Sequence, residues 1–201
     1  MAGHLLGIHP FDQPNVQESK DNTARVLETI QSTGRLPKQT TATAAKAAAQ
    51  LKRHGRPGAY VVILDYTTPS SKTEQAIRSL RRALVSHHHV TTTAGYGPRY
   101  LHSTGKLHKG SPKSGLFLQL VDQMISNLSI PGKPFTFRTL AKAQAAGDIQ
   151  ALQAHDQQTI VLPLGKNPVA TIPALTKSLA PRTPARRPTK RRTRSGRARK
   201  K

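Results

Sequence analysis

One stretch carries residues that could do chemistry at meaningful spacing: His9-Pro-Phe-Asp-Gln-Pro-Asn-Val-Gln-Glu-Ser-Lys20. It reads as a loop feeding a helix. Pro14 suits a first helical position, and Asn15 with Glu18 three residues later has capping-box spacing. Val16, Thr23, Leu27 and Ile30 then recur on one face. At about 100° per residue, Lys20 falls within roughly 40° of Val16 on that face, whereas Gln17, Asp21, Arg25 and Glu28 point away. Two readings of this lysine stand open. Its stem can cover apolar surface while the ammonium reaches water. Alternatively it is partly desolvated, with a tuned proton affinity, and held beside a ligand.

The elements that must hold Lys20 follow in order. Leu5-Leu-Gly-Ile8 is short and apolar, and is expected to be a buried strand. The helix after the motif should end near Gln31, before Ser32-Thr-Gly34. Thr43 to Arg53 predicts a weakly amphipathic helix, and Tyr60 to Tyr66 a strand apolar enough for burial on both faces. Ser71 and Glu74 have capping-box spacing ahead of Ala76, Ile77, Leu80, Ala83 and Leu84, with Arg78, Arg81 and Arg82 outside. Val90 to Thr93, Gly115 to Val121 and Thr159 to Leu164 predict strands, and Ile130 to Pro134 a turn. Thr139 to Ala146 and Asp148 to His155 predict two short helices broken at Gly147. Alternating strands and helices give an α/β class with a mainly parallel sheet of about four to five strands and flanking helices.

Gly95 to Gly110, rich in Gly, His and Lys, is either a ligand loop facing an anion or a surface turn. His87-His-His89 is read as a helix end favoured by the helix dipole. Neighbouring helical residues point about 100° apart, so no metal site is expected there.

Charge divides the chain. Residues 1–165 hold 19 Lys and Arg against all nine acids; residues 166–201 hold 13 and no acid. The boundary is therefore set at 165, with 1–165 an α/β segment and 166–201 a disordered Lys/Arg/Pro-rich tail. The tail binds nucleic acid or another polyanion without base specificity, is a solvated extension, or is sequence appended by an altered reading frame or gene end. Zero cysteine excludes thiolate chemistry and a disulfide framework. No run approaches the roughly 20 apolar residues of a membrane span, and no signal peptide is apparent after Met1. A cytoplasmic location and no membrane partner are expected.

Phe11-Asp-Gln13 with Val16 and Lys20 resembles the C-terminal signature of glucose-6-phosphate isomerase. The longer Pro10 to Lys20 stretch is most similar to the isomerase half of bifunctional transaldolase/glucose-6-phosphate isomerases. Tyr96 to Gly110 and Ile130 to Phe137 also resemble that protein's C-terminal region, so the likeness spans roughly residues 3 to 165. It implies Lys20 as a ring-opening acid/base group and Gln13 as a residue holding the sugar phosphate, with no cofactor. It assigns no role to Arg99, His102, His108 or Lys109. The family's glutamate base and Ser/Thr-rich phosphate loop match nothing here, and the transaldolase barrel is missing. The chain is thus expected to be an isomerase segment inactive alone. Two alternatives accompany that reading: an accessory subunit completing an isomerase on a separate chain, or a polyanion-binding protein working through its tail.

Overall fold

The computed structural model describes residues 2–9, 14–54, 58–110, 113–122 and 127–180. Four strands, β1 (Tyr60–Tyr66), β2 (Thr91–Tyr96), β3 (Gly115–Val121) and β4 (Gln158–Pro163), form one sheet in the order β2-β1-β3-β4. All three pairings are parallel. The fold is α/β, as expected. Continuous apolar runs in β1 and β3 reflect burial under helices on both faces.

One face carries α3 (Ala44–His54), α4 (Ser71–His88) and α7 (Pro168–Leu179). Leu51, Leu80, Leu84, Ile172 and Leu175 pack there on Val61, Ile63, Leu118 and Leu162. The other carries α6 (Phe137–Ala154), whose Ala145, Ile149 and Leu152 meet Val62, Leu64 and Phe117. Helix α2 (Pro14–Thr33) lies over α6, and a short α5 (Gly105–Gly110) follows a 3-10 turn at Arg99–His102. The sheet edges are partly covered. Ala42 N–H donates to the Val161 carbonyl at 2.8 Å beside β4, and Arg81 bonds the Thr92 hydroxyl and carbonyl of β2 at 3.1 and 3.0 Å. Arg81 is therefore half-buried, not outside as periodicity suggested.

Several expectations are corrected. Residues 2–5 form a four-residue helix, α1, and Leu5, Leu6 and Ile8 are exposed; no strand forms, because so short an apolar run has no period to decide its state. Pro14 does open α2, which puts Asn15 inside the helix and not at its cap. The cap of α4 is Ser70, one residue earlier than predicted. Its hydroxyl accepts from Thr73 N–H at 3.1 Å and contacts Thr73 Oγ1 at 2.9 Å. Ser70→Ala should lower stability by about 1 kcal/mol in urea unfolding, whereas Ser71→Ala should change it by only a few tenths. Equal losses would return the cap to Ser71.

The boundary at 165 also moves. Residues 168–179 are a helix whose Ile172, Leu175 and Leu179 are fully buried against α3 and α4. Averaging apolar content over 166–201 hid a short amphipathic run that begins at Pro168 under an Asn167 cap. The rest of the predicted tail, 181–201, lies outside the described residues. At the end of α4, His89 takes a left-handed φ of 51°, and His88 Nε2 lies 3.1 Å from the Leu179 carbonyl. The histidine run thus closes α4 and meets the end of α7.

Candidate functional site

Lys20 sits on the wall of a pocket of about 270 Å³ between α2, α6 and the turn after β2. Val16, Thr23, Leu27 and Leu101 give apolar wall, and Pro98, His102 and the buried Asp148 are also part of the lining. The pocket lies towards the carboxyl end of β1, where the sheet order reverses to β2 on one side and β3 on the other. Open parallel sheets place their ligand crevices at such a point.

Helix α2 turns a different line inward from the one predicted. Val16, Ser19, Asn22 and Val26 are buried, while Thr23, Leu27 and Ile30 are half-buried and Lys20 is exposed. A lysine centred on the apolar stripe is therefore not what the fold contains; Lys20 borders the stripe as an exposed residue lining the pocket. Gln17, Asp21, Arg25 and Glu28 point away, as expected. Gln13 lies outside the described residues.

The desolvated ionisable groups sit one layer deeper, and sequence reasoning assigned them nothing. Asp148 Oδ2 accepts from the Tyr66 hydroxyl and from the Tyr100 hydroxyl at 3.2 Å. Ser19 also bonds the Asp148 carboxyl, and Lys109 Nζ donates to Ser19 Oγ at 2.6 Å. A cation and an anion are thus joined through one hydroxyl, all three buried. Burial pushes the Asp148 carboxyl up, although both tyrosines, Ser19 and Lys109 pull it back. Burial likewise pushes the Lys109 ammonium down against the fields of Asp148 and Glu18. Both tyrosine hydroxyls are driven upward by burial and by Asp148, so they remain donors.

Each member is placed by a local feature. Tyr66 ends β1, and its ring lies against Gly97; a Cβ at Gly97 would come within 2.3 Å of that ring. Gly97, bonded through its N–H to the Asp65 carbonyl at 2.9 Å, precedes a cis bond to Pro98. The predicted loop from Gly95 to Gly110 is mostly helical. Its last helix carries His108 and Lys109 inward. His108 lies edge-on to Phe117, ring centroids 5.4 Å apart, with Tyr100 at 6.0 Å.

Helix α6 runs unbroken through Gly147, where a break was predicted. A Cβ there would lie 2.8 Å from the backbone nitrogen of Thr23 and 3.2 Å from the Ser19 carbonyl. The glycine serves the close approach of α2, and Asn22 Nδ2 donates to its carbonyl at 3.4 Å. Gly147→Ala should cost about 1–3 kcal/mol, because the obstructing atoms are backbone and α2 must move. Unfolding in urea measures it. A neutral or stabilising result, as expected of Gly→Ala in an open helix, would dismiss the close packing.

His108 also makes stability depend on acid. Burial lowers its pKa to about 4, so between about pH 4 and 6.5 the unfolded chain binds the proton and the folded chain does not. Stability then rises with pH through that window and is lost on acidification, by roughly 3 kcal/mol in full. Asp65 and Asp148, both raised by burial, oppose this slope in the same range. The difference between wild type and His108→Leu in urea midpoint against pH isolates it, and parallel profiles would deny it.

No family model and no curated protein matches the chain. Its fold is similar to a solved structure of a hypothetical protein from Thermus thermophilus, with a TM-score of 0.51 and 19% identity over 81% of this chain. The match takes in 42% of that protein, so the chain spans less than half its length. The likeness is one of fold. No described helix is long and apolar enough to cross a membrane.

Proposed function

We propose that the chain is the C-terminal segment of a glucose-6-phosphate isomerase-type enzyme, holding a sugar phosphate in the pocket between α2, α6 and the 3-10 turn. The reading rests on one juxtaposition. Lys20 comes from the first stretch that resembles the isomerase, and Pro98, Leu101 and His102 come from the second, about 80 residues later; all four wall the same pocket. In this reading the Lys20 ammonium passes a proton to the ring oxygen as its bond to the anomeric carbon breaks, while the anomeric hydroxyl becomes the carbonyl and gives its proton to solvent water. An exposed position on the pocket lining suits a group that must reach substrate and exchange protons with water. Gln13 holds the phosphate.

The isomerisation also needs a carboxylate that carries a proton between C2 and C1 of the open sugar. Asp148 is the described carboxylate bordering the pocket, and two tyrosines and Ser19 already bond it. Glu18 is paired with His155 at 3.0 Å. The base is therefore supplied by another segment or chain, and this chain alone binds without turnover. Calorimetric titration with fructose 6-phosphate, alongside a coupled isomerase assay, tests the reading. Saturable binding that fructose does not reproduce, without turnover, is expected. Failure to bind any sugar phosphate sinks it, and turnover at ordinary enzyme rates of about 1–10³ s⁻¹ removes the missing base.

A further inference from the structure

Helices α4 and α7 pack against each other, and a groove of about 440 Å³ lies between them. Its apolar surface comes from Ala76 of α4 and from Val169 and Pro173 of α7. Ile172, Leu175 and Leu179 are the residues that seat α7 in the core, and all three are fully buried. Val169 and Pro173, four residues apart and so on one side of the helix, are exposed, Val169 by 40%. Helix α7 thus has a second apolar line that the core does not use. Helix stability does not account for it either, because Pro173 stands inside the helix, where proline costs about 3 kcal/mol relative to alanine.

The groove's charged residues are all of one sign. Lys72 of α4 and Lys177 of α7 line it, and no acid does. Lys72 stands in the first turn of α4, where the helix dipole disfavours a cation. The surrounding layer reinforces this sign. Helices α3, α4 and α7 carry eight Lys and Arg against the single acid Glu74, which already accepts from the Tyr96 hydroxyl at 3.0 Å and pairs with Arg78 at 3.8 Å.

These features define an occupant. It presents apolar side chains to Ala76, Val169 and Pro173 and carboxylates to the two lysines. A helix meets both demands, because it satisfies its own backbone groups, whereas an extended segment would lay unpaired N–H and C=O groups on walls that offer no strand to pair with. A third helix also fits between two others by ordinary ridge-into-groove packing. A second copy of the chain does not supply it. Among the described helices α2 is the most acidic, with Glu18, Asp21 and Glu28, but its apolar line is buried on α6.

We propose that the α4–α7 groove is a docking site for an acidic amphipathic helix of another protein. This function is separate from the sugar-phosphate pocket, whose lining comes from α2, α6 and the turn after β2.

The test uses the full chain and a fluorescein-labelled synthetic helix of about five turns, with Leu along one face and Glu and Gln elsewhere, read by anisotropy. Saturable binding is expected. A second peptide with Ser in place of Leu keeps every acid and reports attraction to positive charge anywhere on the chain; it should bind at least about 10-fold more weakly. A third, with Lys in place of Glu, keeps the apolar face and should not bind. Val169→Ser with Pro173→Ser removes exposed apolar wall without changing charge and should weaken the first peptide about 10-fold. Lys72→Glu with Lys177→Glu should weaken it by a similar factor. Lys46→Glu with Lys52→Glu, an equal reversal at exposed positions of α3 outside the groove, should cost less than about 3-fold. Urea unfolding checks that each variant is folded. Absence of binding, equal affinity for the Leu and Ser peptides, equal affinity for the Glu and Lys peptides, or equal losses for the groove and α3 reversals would overturn the proposal.

Discussion

Lys20→Met should lower turnover of a cyclic sugar phosphate by about 10²–10⁴-fold once a complementing isomerase segment, fused ahead of Met1 or co-expressed, restores activity. Methionine keeps the length and apolar character of the lysine stem while deleting the ammonium. Ser19, Asn22, Thr23 and Val26 bind α2 to α6, and Lys20 is exposed beside them, so the packing of α2 should survive. An open-chain substrate needs no ring opening and should lose far less. Gln13→Ala should instead weaken every phosphorylated substrate alike, because the proposed reading gives it the phosphate and not the reacting carbons. Steady-state kinetics on paired cyclic and open-chain substrates separates the cases. Equal losses for Lys20→Met would make it a phosphate or packing residue, and the ring-opening role would have to be abandoned.

Asp148→Ala should destabilise the fold by about 3–5 kcal/mol, the largest single loss expected here. Removing one member of a buried charge pair leaves the other uncompensated. Lys109 would lose its counter-charge across Ser19, and the Tyr66 and Tyr100 hydroxyls would both lose their acceptor. Asp148→Asn, which keeps an oxygen acceptor, should cost less. Adding Lys109→Met to Asp148→Ala should recover part of the loss, because no buried charge then remains; contacting residues are not additive. Urea unfolding of the four chains completes the cycle. A loss below about 1 kcal/mol for Asp148→Ala, or strict additivity with Lys109→Met, would show that the two charges do not depend on each other.

Strands were legible where composition alone determines them. Tyr60–Tyr66 and Gly115–Val121 are unbroken apolar runs with turn residues near their ends, and both match their predicted bounds. Gly147 was misread because a glycine inside a helical pattern looks like a break when its reason is another helix. Thr23, whose backbone it admits, lies 124 residues away in sequence. Lys20 and Lys109 exchange environments for a related cause. Periodicity of α2 alone put Lys20 on the stripe, but α6 docks along Ser19, Asn22 and Val26 and leaves Lys20 at its border. The sequence signal for the buried network was slight: Asp148 is the lone acid in the run Ala141 to Ala154, otherwise small, amide or apolar apart from Lys142. An acid there is either exposed or carefully bonded, and only the tertiary arrangement decides.

The docking of α2 on α6 also bears on how the chain is made. Helix α2 ends at Thr33, and its principal partner begins at Phe137, with α5 between them in sequence. At roughly 5–20 residues per second, α2 emerges from the ribosome about 5–20 s before α6 exists. Isolated helices are marginal in water, so this one waits without a stable surface to lie on. During that interval the sheet strands β1 to β3 can already be synthesised, but the layer covering their second face cannot close. The segment bearing Lys20 is thus translated before every strand of the sheet and is among the last to find its place.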